Sequence, residues 1–240
     1  MGDGGGQRGA WRWVEAGALV AVPAVLVVAM LVQGSWALGT LAVVLAAVLV
    51  MALGWERRTP SLRQLLPTVA LGSAAAAGRV AFAAVPDVKP VSAIVILCGS
   101  LLGPQSGFLC GALAALLSNL FFGQGPWTPW QMYAWGLMGY GAGLLGRCLE
   151  GRAAAGLYGF CACWLYGWLL DAYTLVGYVR PITLVTGLTT FAASAPMDLT
   201  HAVATVAFIQ LFWGRWRRAL ERVLVQHGLR EPRPPEVPRT

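Results

Sequence analysis

Phe121-Phe122-Gly123-Gln124-Gly125-Pro126-Trp127-Thr128-Pro129-Trp130-Gln131-Met132 interrupts an apolar run that begins upstream of Leu120, and a glycine-dense apolar run then carries the chain on to Gly146. No charge occurs in this connection. Two tryptophans, two glutamines, a threonine and two prolines between segments long enough to enter a bilayer make a stiff, amphipathic loop at a membrane face, which reads as part of a binding mouth.

Working outward, the composition agrees. Of 240 residues, 58% are hydrophobic and 11% charged, against roughly 25% charged in an average soluble domain. The chain reads as an all-α integral membrane protein. A span needs about 20 predominantly apolar residues, and eight runs are candidates: Glu15 to Val32, Trp36 to Trp55, Leu65 to Val85, Val91 to Leu102, Gln105 to Phe122, Trp130 to Arg147, Ala153 to Val176 and Pro196 to Gly214. The fourth is short, so it is tilted, re-entrant, or continuous with the fifth across Gly103-Pro104.

Sixteen of the 17 basic residues are arginine. Arg8 and Arg12; Arg57, Arg58 and Arg63; Arg147 and Arg152; and the seven from Arg215 to Arg239 all fall on one side of eight spans, which the positive-inside rule places in the cytoplasm with both termini. Arg79, Lys89 and Arg180 are left for the outer side. The net charge of +7 follows from topology and anionic lipid, without nucleic acid as a partner. Residues 15–32 lack a convincing cleavage site and read as a retained span. The five cysteines, Cys98, Cys110, Cys148, Cys161 and Cys163, lie in or beside apolar helices and read as small hydrophobes, not a disulfide framework.

The expected organisation is a cytoplasmic segment (1–14), two plain aliphatic spans (15–55), a cytoplasmic linker (56–64), a six-helix core (65–214) carrying nearly every intramembrane polar group, and a basic C-terminal helix with a proline-rich, disordered tail (215–240). In the core, Ala70/Ala74 and Ala77/Ala81 give small-x-x-x-small spacings, and Gly136, Gly139, Gly143 and Gly146 line the sixth run with further small residues. Each suits internal packing or the docking of another membrane subunit.

Ionisable residues within spans point to a site, a pathway or a buried pair. With the seventh run leading outward and the eighth inward, Arg79, Asp171, Asp198 and His201 converge on the outer half. Trp164, Trp168, Asp171 and Leu175 share one helical face. Asp198 and His201 are i, i+3 neighbours near a helix start at Ser194 or Pro196, so Asp198 either interacts with the helix dipole or binds. His201 either contacts ligand or bonds to Asp198 or backbone, and Asp171 is open to pairing with Arg79 or Arg180. Asn119, Gln124, Thr128 and Gln131 add hydrogen-bonding groups; Trp127 and Trp130 add aromatic surface. No catalytic or metal-binding motif accompanies these residues. A membrane enzyme using Asp171, Asp198 and His201 is the alternative, and an assembly subunit without ligand a further one.

The stretch from Leu66 to Arg147, centred on GRVAFAAVPDVKPVSAIVILCGSLLGPQSGFLCGALAALLSNLFFGQGPWTPWQMYAWGLMGYGAGLLGR, resembles the substrate-binding S components of energy-coupling factor (ECF) vitamin transporters, with GQGPWTPWQM as the segment specific to one branch. The resemblance extends over Leu65 to Gly214; the two leading spans are additional to the usual six helices. It implies a prokaryotic plasma-membrane subunit, not an enzyme, without a cofactor or a metal. Such a subunit captures a vitamin under its outer loops, docks on a transmembrane coupling (T) subunit driven by two ATPases, and topples to release its cargo. The chain has no Walker A motif of its own. Ala70 and Ala74, or Ala77 and Ala81, match the family's coupling-helix pattern. The branch implies cobalamin or a related corrinoid as ligand, with His201 as a candidate axial cobalt ligand; riboflavin or another flat vitamin is the alternative.

Overall fold

The computed structural model describes residues 4–32, 37–56, 62–226 and 228. They form eight α-helices and no strand: α1 (Gly4–Val32), α2 (Ala37–Glu56), α3 (Leu62–Ala81), α4 (Val91–Leu102), α5 (Pro104–Phe122), α6 (Trp127–Leu145), α7 (Arg152–Tyr178) and α8 (Leu184–Gln226), with a 3₁₀ turn at Gly146–Leu149 between α6 and α7. Five of them, α1, α2, α5, α7 and α8, hold stretches long and apolar enough to cross a membrane. Where no water reaches the backbone, helices satisfy every amide internally, so apolar runs of this length fold no other way.

The short fourth run is resolved by Gly103. At φ 94° and ψ 174° it adopts a backbone that L side chains avoid, its amide closes α4 on the Gly99 carbonyl at 2.9 Å, and Pro104 starts α5 at a position where a missing N–H costs nothing. Continuity across Gly103-Pro104 is thereby excluded: α4 and α5 form a hairpin with a one-residue turn. With 12 residues, α4 is about 18 Å long, too short for a hydrocarbon core of about 30 Å. It is buried on nearly all sides, with Val91, Ser92, Ala93, Val95, Ile96, Leu97 and Cys98 at 2% exposure or less, which is why its sequence is apolar without periodicity.

The glycines of α6 pack internally. A Cβ at Gly139 would overlap the Gly107 carbonyl, one at Gly143 would overlap Pro104, and one at Gly99 would overlap the Gly139 carbonyl, so α4, α5 and α6 touch backbone to backbone. The alanines of α3 do the opposite. Ala75 and Ala76 face the core while Ala70, Ser73, Ala74, Ala77 and Ala81 are exposed, leaving a smooth strip on the outside of the bundle.

Two boundaries differ from the sequence expectation. The eighth helix does not begin at Ser194 or Pro196. It starts at Leu184, runs through Pro196 and continues to Gln226, so the basic segment from Arg215 extends the same helix and Asp198 sits in its interior, away from a helix N-terminus. The third helix ends at Ala81, and 82–90 form turns. The expected tail beyond Gly228 and most of the expected linker, 57–61, lie outside the described residues.

Candidate ligand-binding site

A cavity of about 230 Å³ opens where α3 ends, α4 begins and α6, α7 and α8 converge; its lining includes Arg79, Asp87, Lys89, Val91, Gln131, Trp135, Tyr166, Gly167, Leu170, Asp171, Met197, Asp198 and His201. Because α4 is short, its first residue, Val91, lines the cavity between the longer helices around it.

Arg79 reaches the cavity from the last turn of α3. Its Nη1 donates to Ser118 Oγ at 2.6 Å and to Asn119 Oδ1 at 2.7 Å, and its guanidinium lies over the rings of Phe122 (4.7 Å) and Trp135 (5.0 Å). Neutral acceptors and aromatic faces thus hold the guanidinium in place, and the Asp87 carboxylate lines the same cavity. Asn119 is itself fixed, its Nδ2 donating to Thr128 Oγ1 (3.1 Å) and to Gln131 Oε1 (2.7 Å). Thr128 donates to Gln124 Oε1 at 2.9 Å and accepts from the Gly125 amide, while Gln124 Nε2 donates to the Leu116 carbonyl. The polar half of the opening motif is therefore a relay that orients Arg79 and Gln131.

Across the cavity, Ser194 Oγ donates to Asp171 Oδ2 at 2.5 Å and lies 3.4 Å from Asp198 Oδ2, tying a carboxylate of α7 to one of α8. Gly167 makes this approach possible, since a Cβ there would overlap the Asp198 carboxylate. Asp171 has Ser194 as its partner in place of the arginine pair considered from sequence, and Arg180 Nη1 and Nη2 donate to the Val179 and Val176 carbonyls.

His201 bonds through Nε2 to Ser92 Oγ at 2.7 Å, not to Asp198. Ser92 Oγ also accepts from Trp135 Nε1 at 3.1 Å, so one hydroxyl joins the first turn of α4 to α6 and α8. The His201 ring also stands edge-on to Tyr166 at 5.2 Å, and Tyr166 lies 4.7 Å from Trp135, so these two rings form the aromatic wall. At the rim, Asp87 has φ 54° and Lys89 lies 5.6 Å from the Phe122 ring. Burial pushes the Lys89 ammonium below the usual lysine pKa; Asp87 opposes that shift and Arg79 adds to it.

Of the residues singled out from sequence, Arg79, Gln131, Asp171, Asp198 and His201 line the cavity, with Asn119, Thr128 and Gln124 behind Arg79. The four tryptophans lie elsewhere. Trp127 is 42% exposed and covers Gly125; Trp130 is fully buried and stacks on Tyr173 at 5.2 Å on the side facing α1 and α2. Trp168 is 49% exposed, and Trp164 packs edgewise on it at 6.2 Å. Asp171 belongs to two helical stripes, and the cavity takes the one through Tyr166, Gly167 and Leu170 instead of the one through Trp164 and Trp168. Trp135, Tyr166 and Ser92 were missed, and Lys89 was read only as an outer-side charge; the i, i+4 spacings of Gln131 with Trp135 and of Gly167 with Asp171 were the available signal.

Residues 64–212 match the family described as ECF-type riboflavin transporter, S component. Neither the curated proteins nor the solved structures gave a match.

Proposed function

Because the chain belongs to the ECF-type riboflavin transporter S component family, we propose that its cavity captures a small planar vitamin of the flavin type for import by an ECF complex. As an S component it is a vitamin-transporter subunit and a multi-pass membrane protein, and this supports the transporter reading over the enzyme alternative. The observation that carries the ligand reading is the cavity itself: an aromatic wall of Trp135 and Tyr166 between a cationic side (Arg79, Lys89) and an acidic one (Asp171, Asp198). Such a space suits a flat ring system with acceptors along one edge and hydroxyl or N–H donors at the other.

The corrinoid expectation has less support than its riboflavin alternative. The matched family is described by riboflavin, His201 Nε2 is engaged by Ser92, and the cavity volume of about 230 Å³, already below the roughly 300–1,000 Å³ of drug-sized pockets, is further from a corrinoid than from a flavin. A tetrapyrrole-derived macrocycle would require the cavity to open.

S components work with a T component and ATPases, so the partners proposed here are those subunits in a prokaryotic plasma membrane, with the cavity on the outer side. The exposed strip Ala70, Ala74, Ala77 and Ala81 on α3 is the proposed coupling face, because small side chains let a partner helix approach closely.

The direct test is titration of the detergent-purified chain with riboflavin, followed by flavin fluorescence, beside cobalamin followed by absorption. Saturable quenching at one site per chain is expected. Binding of cobalamin with no response to riboflavin would overturn the flavin reading.

A further inference from the structure

The leading helices α1 and α2 are seated on the core. Glu15, Leu19, Val22, Leu26 and Ala29 fall on one face of α1, and Val22, Leu26 and Ala29 join Val44, Ala47 and Met51 of α2 in a buried cluster with Phe108 and Ala112 of α5, Trp130 and Tyr133 of α6, and Ala172 and Val176 of α7. Two polar ties one turn apart on α1 hold the seat: Gln105 Nε2 of α5 donates to Glu15 Oε2 at 2.9 Å, and the Tyr133 hydroxyl donates to the Leu19 carbonyl at 2.5 Å. In surroundings with no water to compensate, each tie is costly to break.

The position of this seat matters. On α6, Gln131 and Trp135 line the cavity while Trp130 and Tyr133 meet the leading pair; on α7, Asp171 lines the cavity while Ala172 and Val176 meet it. The α6–α7 seam is one helix thick, with the cavity on one face and the leading helices on the other. Trp130 stacked on Tyr173 joins the two helices from the rear.

We infer that α1 and α2 are a positioning element of the binding site: they brace the α6–α7 wall, so that ligand occupancy and the seating of α1 are thermodynamically coupled. Linkage makes the coupling reciprocal. Loosening α1 weakens ligand binding, and ligand tightens α1. The inference rests on the cavity being the vitamin site but not on which vitamin fills it.

The test uses the full chain with Tyr133→Phe and Gln105→Leu, each deleting one tie without touching the cavity lining. Amide exchange of residues 13–32 reports the seat. Maleimide labelling of Leu170→Cys, in a background with the exposed Cys148 and Cys161 changed to serine, reports the wall without any ligand. Riboflavin titration reports the site. Expected are faster α1 exchange, severalfold faster labelling and affinity lower by about tenfold, the order of one buried hydrogen bond, with riboflavin slowing α1 exchange in the parent chain. Faster α1 exchange with unchanged labelling and affinity would overturn the brace, and so would unchanged α1 exchange in both variants. If the parent chain does not bind riboflavin, the flavin reading fails and the labelling arm decides the brace alone.

Discussion

Arg79 Nη1 and Asn119 Oδ1 lie 2.7 Å apart, joining the last turn of α3 to that of α5. Three of the four hydrogen-bonding positions of the Asn119 amide are used, both donors to Thr128 and Gln131 and one acceptor site from Arg79. A cation within a membrane bundle is thus positioned by neutral side chains, Ser118 and Asn119, at the edge of the cavity.

Asn119→Leu removes one hydrogen-bond partner from each of Arg79, Thr128 and Gln131, leaving Arg79 on Ser118 and Thr128 on Gln124. Riboflavin affinity is expected to fall at least tenfold and the melting temperature to drop, since a buried polar group left unpaired costs about 1–3 kcal/mol. Asn119→Asp, which keeps an acceptor for Arg79 and loses the two donors, should fall between. Parallel titration and thermal unfolding of both variants check this; equal affinities in the two would contradict the relay.

Gly167→Ala places a methyl group where the Asp198 carboxylate lies. Either Asp198 swings into the cavity or α7 and α8 separate, and binding is lost in both cases. Gly177→Ala, on the same helix with its nearest neighbour 3.9 Å away, should bind as the parent does. The pair separates a local clash from a general effect on helix propensity.

Ala74→Trp adds bulk to the exposed side of α3. Vitamin binding by the isolated chain should be unchanged, while uptake in cells carrying the coupling subunit and ATPases should be abolished. Loss of binding in the purified variant would show that this face supports the site instead of a partner.

The two tryptophans of the opening motif should behave differently. Trp130→Ala empties a fully buried position and is expected to cost about 3–5 kcal/mol, seen as poor expression or a lowered melting temperature. Trp127→Ala, at a 42% exposed position, should cost less than about 1 kcal/mol and leave affinity within a factor of about three. Thermal unfolding of both distinguishes a wall-bracing residue from a surface one.

Much was determined by the amino-acid sequence alone. The membrane class, the helical runs, the leading pair and the convergence of Arg79, Asp171, Asp198 and His201 were legible because apolar run length and backbone satisfaction are local properties that a bilayer enforces segment by segment. Tertiary structure decided the rest. Trp164, Trp168 and Tyr166 are near neighbours on one helix, and a rotation of about 100° per residue separates cavity from surface. The motif's glutamines and threonine orient Arg79 while its tryptophans turn away, and the leading helices rest against the rear of the cavity wall. Helix rotation and helix neighbours depend on contacts such as those of Gly99, Gly107 and Gly139, where backbones touch only because three glycines from different runs meet. No local pattern encodes which runs will meet.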